Sequence, residues 1–76
     1  MNTWIVTFFT ISDAIAAERT AKKLGLQARL IPVPRQLSTG CGICLKVQTD
    51  TPQTLLDELS QEEVDVDACL DWEDIQ

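Results

Sequence analysis

The chain predicts an α+β fold, and three observations carry that expectation. Four short segments have the two-residue period of strands, two longer ones have the 3.6-residue period of helices, and they follow in the order βαββαβ. Seventy-six residues make one domain, 1–76, with 45% apolar residues and no internal repeat. A chain this short buries only about 60% of its unfolded surface, so a thin core is expected.

Residues 3–9 read as the first strand, rich in β-branched and aromatic side chains. Trp4, Val6 and Phe8 point one way and Ile5 and Phe9 the other, so both faces are apolar, as in a central strand. A helix follows over about 12–24, capped by Ser12 or Thr10 and stopped by Gly25. Ala14, Ala17, Ala21 and Leu24 form a narrow stripe of small residues that lets it lie close to a sheet. Residues 27–33 give the second strand, and Pro32, which cannot donate to a ladder, marks an edge strand or the end of a strand.

After a loop at 34–42, the third strand spans 43–49, with Ile43, Leu45 and Val47 on one face and Cys44, Lys46 and Gln48 on the other. Thr51-Pro52 opens the second helix with a cap residue and a proline at the first helical position, and Leu55, Leu56 and Leu59 supply its buried side. In the last strand Val64, Val66, Ala68, Leu70 and Trp72 are expected inward. Asp65, Asp67, Cys69, Asp71 and Glu73 alternate with them and are expected outward. This order matches a ferredoxin-like sandwich, a four-stranded antiparallel sheet with two helices on one face. Strands one and three would be central. The acids of strand four would line the helix-free face along an edge, where charge discourages edge-to-edge pairing.

Charge is polarised along the chain. All six basic residues lie within the first 46 positions against Asp13 and Glu18, a balance of +4, whereas residues 47–76 hold ten acids and no base, a balance of −10. Tracking phosphates takes a net basic footprint, so nucleic-acid binding is not expected. Strand three also presents Cys44, Lys46 and Gln48 where an RNA-binding sheet presents stacking aromatics. The acidic end reads as a solvated face or as a docking surface for a basic partner.

The apolar N-terminus lacks a preceding positive charge and is interrupted by Asp13, unlike a signal peptide. No apolar stretch approaches the ~20 residues of a membrane span. A cytoplasmic location is expected, with the cysteines as thiols rather than a disulfide framework.

Cys41-Gly42-Ile43-Cys44 is a C-x-x-C, but a strand pattern follows it, not the helix that a thioredoxin-like site requires. A structural zinc site commonly takes four ligands, and this chain has no histidine and one further cysteine, Cys69, so no metal is expected. Cys44 falls inside the strand pattern, where cysteine behaves as a small hydrophobe. Cys41 lies between Gly40 and Gly42, after Ser38 and Thr39, with Arg35 near in sequence. The two glycines permit positive φ, and consecutive N–H groups in such a turn can form an anion-binding nest for a thiolate, persulfide or selenide. On spacing alone, that reading stands level with a tight connection holding an incidental cysteine.

The stretch Arg29-Leu30-Ile31-Pro32-Val33-Pro34-Arg35-Gln36-Leu37-Ser38-Thr39-Gly40-Cys41-Gly42 resembles the signature of a small bacterial family, the selenium/sulfur carrier protein-like proteins. Its pattern is an apolar Ile-Pro-x-Pro-Arg, a Leu- or Ile-Ser pair, and Cys-Gly after a short serine-rich spacer. Ser12-Asp13-Ala14 and Ala17-Glu18 agree with its N-terminal half, and the resemblance covers about residues 4–47. It implies Cys41 as a carrier thiol framed by Pro34, Arg35, Ser38 and Gly42, with Gly40 standing where the pattern has serine. A cysteine desulfurase-type donor would load sulfur or selenium as a persulfide or selenosulfide, and an acceptor enzyme would take it. Such a protein would be a carrier rather than a self-sufficient enzyme, and no cofactor is expected. Two alternatives stay open: a ferredoxin-like regulatory or protein-interaction module without covalent chemistry, and a dithiol redox protein using Cys41 and Cys44. A homodimer also stays open.

Overall fold

The computed structural model describes residues 2–37 and 42–75. Its elements are β1 (Thr3–Phe8), α1 (Ile11–Lys23), β2 (Gln27–Pro32), β3 (Ile43–Gln48), α2 (Pro52–Gln61), β4 (Val66–Asp71) and a short α3 (Trp72–Ile75). The strands form one antiparallel sheet in the order β2-β3-β1-β4. β1, apolar on both faces, and β3 are central, as the βαββαβ order predicts, and Pro32 lies on the edge strand β2.

One face of the sheet carries the main core. Val6 and Phe8 of β1 and Leu45 and Val47 of β3 pack with Ala14, Ala17 and Ala21 of α1 and Leu55 and Leu59 of α2. The β1–β3 register, Val6 opposite Leu45 and Trp4 opposite Val47, brings these residues together, and a slip of one position would turn every one of them over. Trp4 anchors the end of the ladder by donating its indole N–H to the Thr49 carbonyl at 3.0 Å.

α1 begins at Thr10, whose hydroxyl accepts from the Asp13 backbone N–H at 3.1 Å, so the cap is Thr10 rather than Ser12. It ends in a paired turn: the Gly25 N–H reaches the Lys22 carbonyl and the Leu26 N–H reaches that of Ala21, both at 3.0 Å, with Gly25 at φ +79°. This ending corrects one expectation. Leu24 is the C-cap and is 40% exposed, because such a turn packs the residue after the glycine against the last helical turn. Leu26 therefore joins the core in its place. α2 ends in the same way, the Glu63 N–H reaching Ser60 and the Val64 N–H reaching Leu59, but its left-handed position is filled by Glu63 at φ 61°.

β4 departs most from its period. It pairs with β1 with Phe8 opposite Val66 but Thr7 opposite Ala68, so Asp67 is an extra residue at a bulge. Val64 and Val66 pack on the α1–α2 side, whereas Leu70 and Trp72 pack on the opposite side and Cys69 turns toward the α1–α2 core. The expected single inward row is thus divided, because one extra residue reverses the alternation beyond it.

The face expected to be free of helices is covered as well. Asp71 ends the strand by accepting the Glu73 N–H at 3.0 Å, which starts α3 where continued strand was expected. Ile75 of α3 then closes a second cluster with Ile5 and Cys44, flanked by Ile31, Val33, Leu37, Leu70 and Trp72. The acids do not form a row on this face: Asp71 sits opposite Trp4, and the exposed Asp67 accepts from the Thr7 hydroxyl at 3.3 Å.

Candidate functional site

The β2–β3 connection carries the cysteine-glycine pair. It is closed at its base where the Val33 N–H donates to the Gly42 carbonyl at 3.2 Å. Gly42 holds φ +77°, a conformation that only glycine adopts without strain, which accounts for a glycine directly after Cys41. On the β2 side, the Leu37 N–H donates to the Pro34 carbonyl at 2.9 Å, making a turn with Arg35 and Gln36 at its tip, both exposed. Val33 and Leu37, on either side of this turn, pack against the Ile5–Cys44–Ile75 cluster. The arm from Val33 to Leu37 is therefore held on the face opposite α1 and α2, with the Arg35 guanidinium left in water.

Of the residues expected to form the site, Arg35 and Gly42 are placed in this way. Ser38, Gly40 and Cys41, together with Thr39, lie outside the described residues.

The other two cysteines sit on opposite faces of the sheet. Cys44, opposite Thr7 in the β1–β3 ladder, is fully buried in the second cluster, and its Sγ lies 4.0 Å from the Pro32 carbonyl. Cys69, opposite Val6, is half-buried against the main core. Burial pushes its thiol above the ordinary value. The two-residue period expects it on an outward face between Asp67 and Asp71. The bulge turns it inward instead, and apolar surroundings oppose the charge.

Among the described residues, no group of three or more His, Cys, Asp or Glu side chains is arranged to hold a metal ion. No helix among them is long and apolar enough to cross a membrane. Sequence reasoning missed the apolar seat under the arm of the loop. Its signal was the Asp71-Trp72-Glu73-Asp74 run, an N-cap residue followed by acids in a first helical turn.

Fold and site together define a small α+β domain whose cysteine-glycine loop is anchored on the second face of an antiparallel sheet. The chain belongs to the family described as Putative Se/S carrier protein-like, whose family model matches residues 3–71. No curated protein and no solved structure matches the chain.

Proposed function

We propose that this protein carries sulfur or selenium on Cys41 as a persulfide or selenosulfide, between a cysteine desulfurase-type donor and an acceptor enzyme in the cytoplasm. The observation that carries this reading is membership of the carrier-like family over residues 3–71, which include the Cys41 loop. The packing of the other cysteines supports it, since Cys44 is fully buried and Cys69 is half-buried with its ionisation opposed. The strand order, with β1 and β3 central, and the packing of α1 and α2 on one face support a ferredoxin-like reading of the fold, with α3 as an addition.

The transfer is a balanced exchange. The Cys41 thiolate attacks the outer sulfur of the donor's persulfide, the S–S bond of the donor breaks, and the donor cysteine leaves as a thiolate. Cys41 then holds the sulfane sulfur and yields it to a second thiolate by the same step, with no net oxidation. In this scheme Arg35, fixed at the tip of its turn, supplies positive charge to the anion. Gly42 holds the backbone beside it, and Ser38 and Gly40 complete the frame.

Intact mass after incubation with a cysteine desulfurase and cysteine tests the proposal. The protein should gain one sulfur atom, and Cys41→Ala should gain none. Alkylation followed by peptide mapping should label Cys41 first, and Arg35→Ala should slow that site alone. Cys44→Ala should leave loading intact for a carrier, whereas a dithiol protein would lose its redox cycling. If Cys41 labels no faster than Cys69, the interaction-module reading replaces this one.

A further inference from the structure

Four large hydrophobic side chains are exposed among the described residues, and three of them gather where β1 passes into α1: Phe9 at 62%, Ile11 at 50% and Ile15 at 44%. Phe9 and Ile11 flank the cap residue Thr10, and Ile15 lies one turn beyond Ile11 on the same side of the helix. A hydrophobic residue just before a cap, as Phe9 is, can be covered by packing on the fourth helical residue. Here that residue is Ala14, short and fully buried in the main core, and Phe9 stays in water. The side of α1 bearing Ile11 and Ile15 is turned away from α2, because Thr20, on the opposite side, is the residue that meets Glu62. Scattered apolar residues on a surface need no explanation, but a group of them marks a place of contact.

The group stands at the end of the sheet that carries the cysteine loop. Thr7 and Ile31 both lie opposite Cys44, so β1 and β2 leave the sheet together. Phe9 follows Thr7 by two residues, and Gly42 precedes Cys44 by two on the antiparallel strand, which sets both just beyond the same end. We propose that Phe9, Ile11 and Ile15 form the surface on which the protein donor of sulfur or selenium docks to reach Cys41, an inference that rests on the carrier reading.

Size and charge select this occupant. Three half-exposed side chains offer a few hundred Å² of apolar surface, well below the roughly 800 Å² per partner of a stable interface. That suits a partner that docks, exchanges sulfur and leaves, not a second copy held permanently. The cations beside the group are Arg19, one turn beyond Ile15 and exposed, and Lys22, whose 3.8 Å pair with Glu18 is a surface contact of little energetic weight. Asp13 lies on the other side of the first turn, bound to Thr10. The matching donor surface is apolar at its centre with carboxylates at its rim, and such rim charges act on the rate of encounter.

Loading of Cys41, followed by intact mass, tests this with two donors. One is a cysteine desulfurase with cysteine. The other is glutathione persulfide, which presents the same outer sulfur to Cys41 and releases the glutathione thiolate, but has no protein surface. With the desulfurase, Phe9→Ser and Ile15→Ser should each raise the KM for the carrier about tenfold, the scale of one well-placed interface side chain, with kcat near the parent's. Loading from glutathione persulfide should be unchanged in both. Leu24→Ser removes the fourth exposed side chain, at the far end of α1, and should load as the parent does with either donor. Arg19→Gln should flatten the salt dependence of desulfurase loading. A parent-like KM in both Phe9→Ser and Ile15→Ser, or a parent loaded by glutathione persulfide but not by the desulfurase, would overturn the docking surface alone. So would self-association of the parent, or its pelleting with anionic vesicles, if Phe9→Ser abolished either, since a second copy or a lipid surface would then be the occupant. A parent that gains no sulfur from either donor would overturn the carrier reading and this surface with it.

Discussion

Thr20 and Glu62 show how one buried hydroxyl sets the behaviour of a surface carboxylate. Thr20 is buried on α1 and donates to Glu62 at the end of α2, where Lys23 also approaches at 3.7 Å. The Thr20 hydrogen bond, helped by Lys23 and opposed by partial desolvation, holds the Glu62 carboxyl below its ordinary value of 4.5. A depressed carboxylate contributes stability that is present above the unfolded value and lost as pH falls through the folded one. Thr20→Val should therefore move the Glu62 titration up toward 4.5 and flatten the acid limb below it, measurable by NMR titration and by denaturation at graded pH. Cys69 has the opposite sign. Its thiol is raised by burial, so its contribution is complete below the ordinary value of 9.0 and is lost as pH rises through the higher folded value. Cys69→Ala should flatten the alkaline limb above 9.0 relative to the parent, whatever its effect at neutral pH.

At the scale of elements, α2 and α3 each carry a local feature with a measurable consequence. α2 closes with Glu63 in the left-handed region, at φ 61°, where the equivalent turn of α1 uses Gly25. A side chain there costs about 1–2 kcal/mol in crowding, partly offset by the extra unfolded-state freedom of glycine. Glu63→Gly should raise stability by up to about 1 kcal/mol in denaturant melts, and a loss of that size would show that the Glu63 side chain makes a compensating contact. α3 is four residues long, yet it brings Ile75 onto Ile5 and Cys44. Ile75→Ala should cost about 2 kcal/mol, the lower end for a large-to-small change because a helix of four residues can shift to fill part of the space. It should also speed alkylation of Cys44 while leaving Cys69, on the other face, unchanged. Leu70 is half-buried on the same side as Ile75, so its truncation should cost less than that of fully buried Leu59 on α2.

For the molecule as a whole, the sheet is sandwiched between a larger core under α1 and α2 and a smaller one under α3 and the loop arm. β1 and β3 are paired on both edges and covered on both faces, while β2 and β4 are the outer strands, each paired on one edge among the described residues. Native-state amide exchange should therefore be slowest in Ile5–Thr7 and Cys44–Val47 and faster in β2 and β4. Uniform protection across the sheet would mean that opening is entirely global. The second core also bears on the loop: weakening it through Ile75 loosens the seat of Val33 and Leu37, the arm on which Arg35 is held.

Where the sequence alone decided the outcome, the determinants were local. The alternation of Val6 with Phe8 and of Leu45 with Val47, the proline after Thr51 and the glycine at position 25 each act within a few residues. The elements they predict appear within a residue or two. The Cys41-Gly42 pair was likewise legible as a covalent pattern, and the positive φ of Gly42 agrees with the reason given for a glycine there. Tertiary structure decided everything that depends on a partner strand. Whether Cys69 or Leu70 faces α1 and α2 follows from pairing against β1, and the single extra residue Asp67 reverses the alternation that β4 shows in isolation. The second core was written only indirectly, in the apolar residues on both faces of β1 and in Cys44 on the second face of β3. Burying Ile5 and Cys44 requires something to cover them, and only the folded chain could assign that cover to Ile75 and the loop arm, which reach them by packing at long range rather than by any periodic pattern.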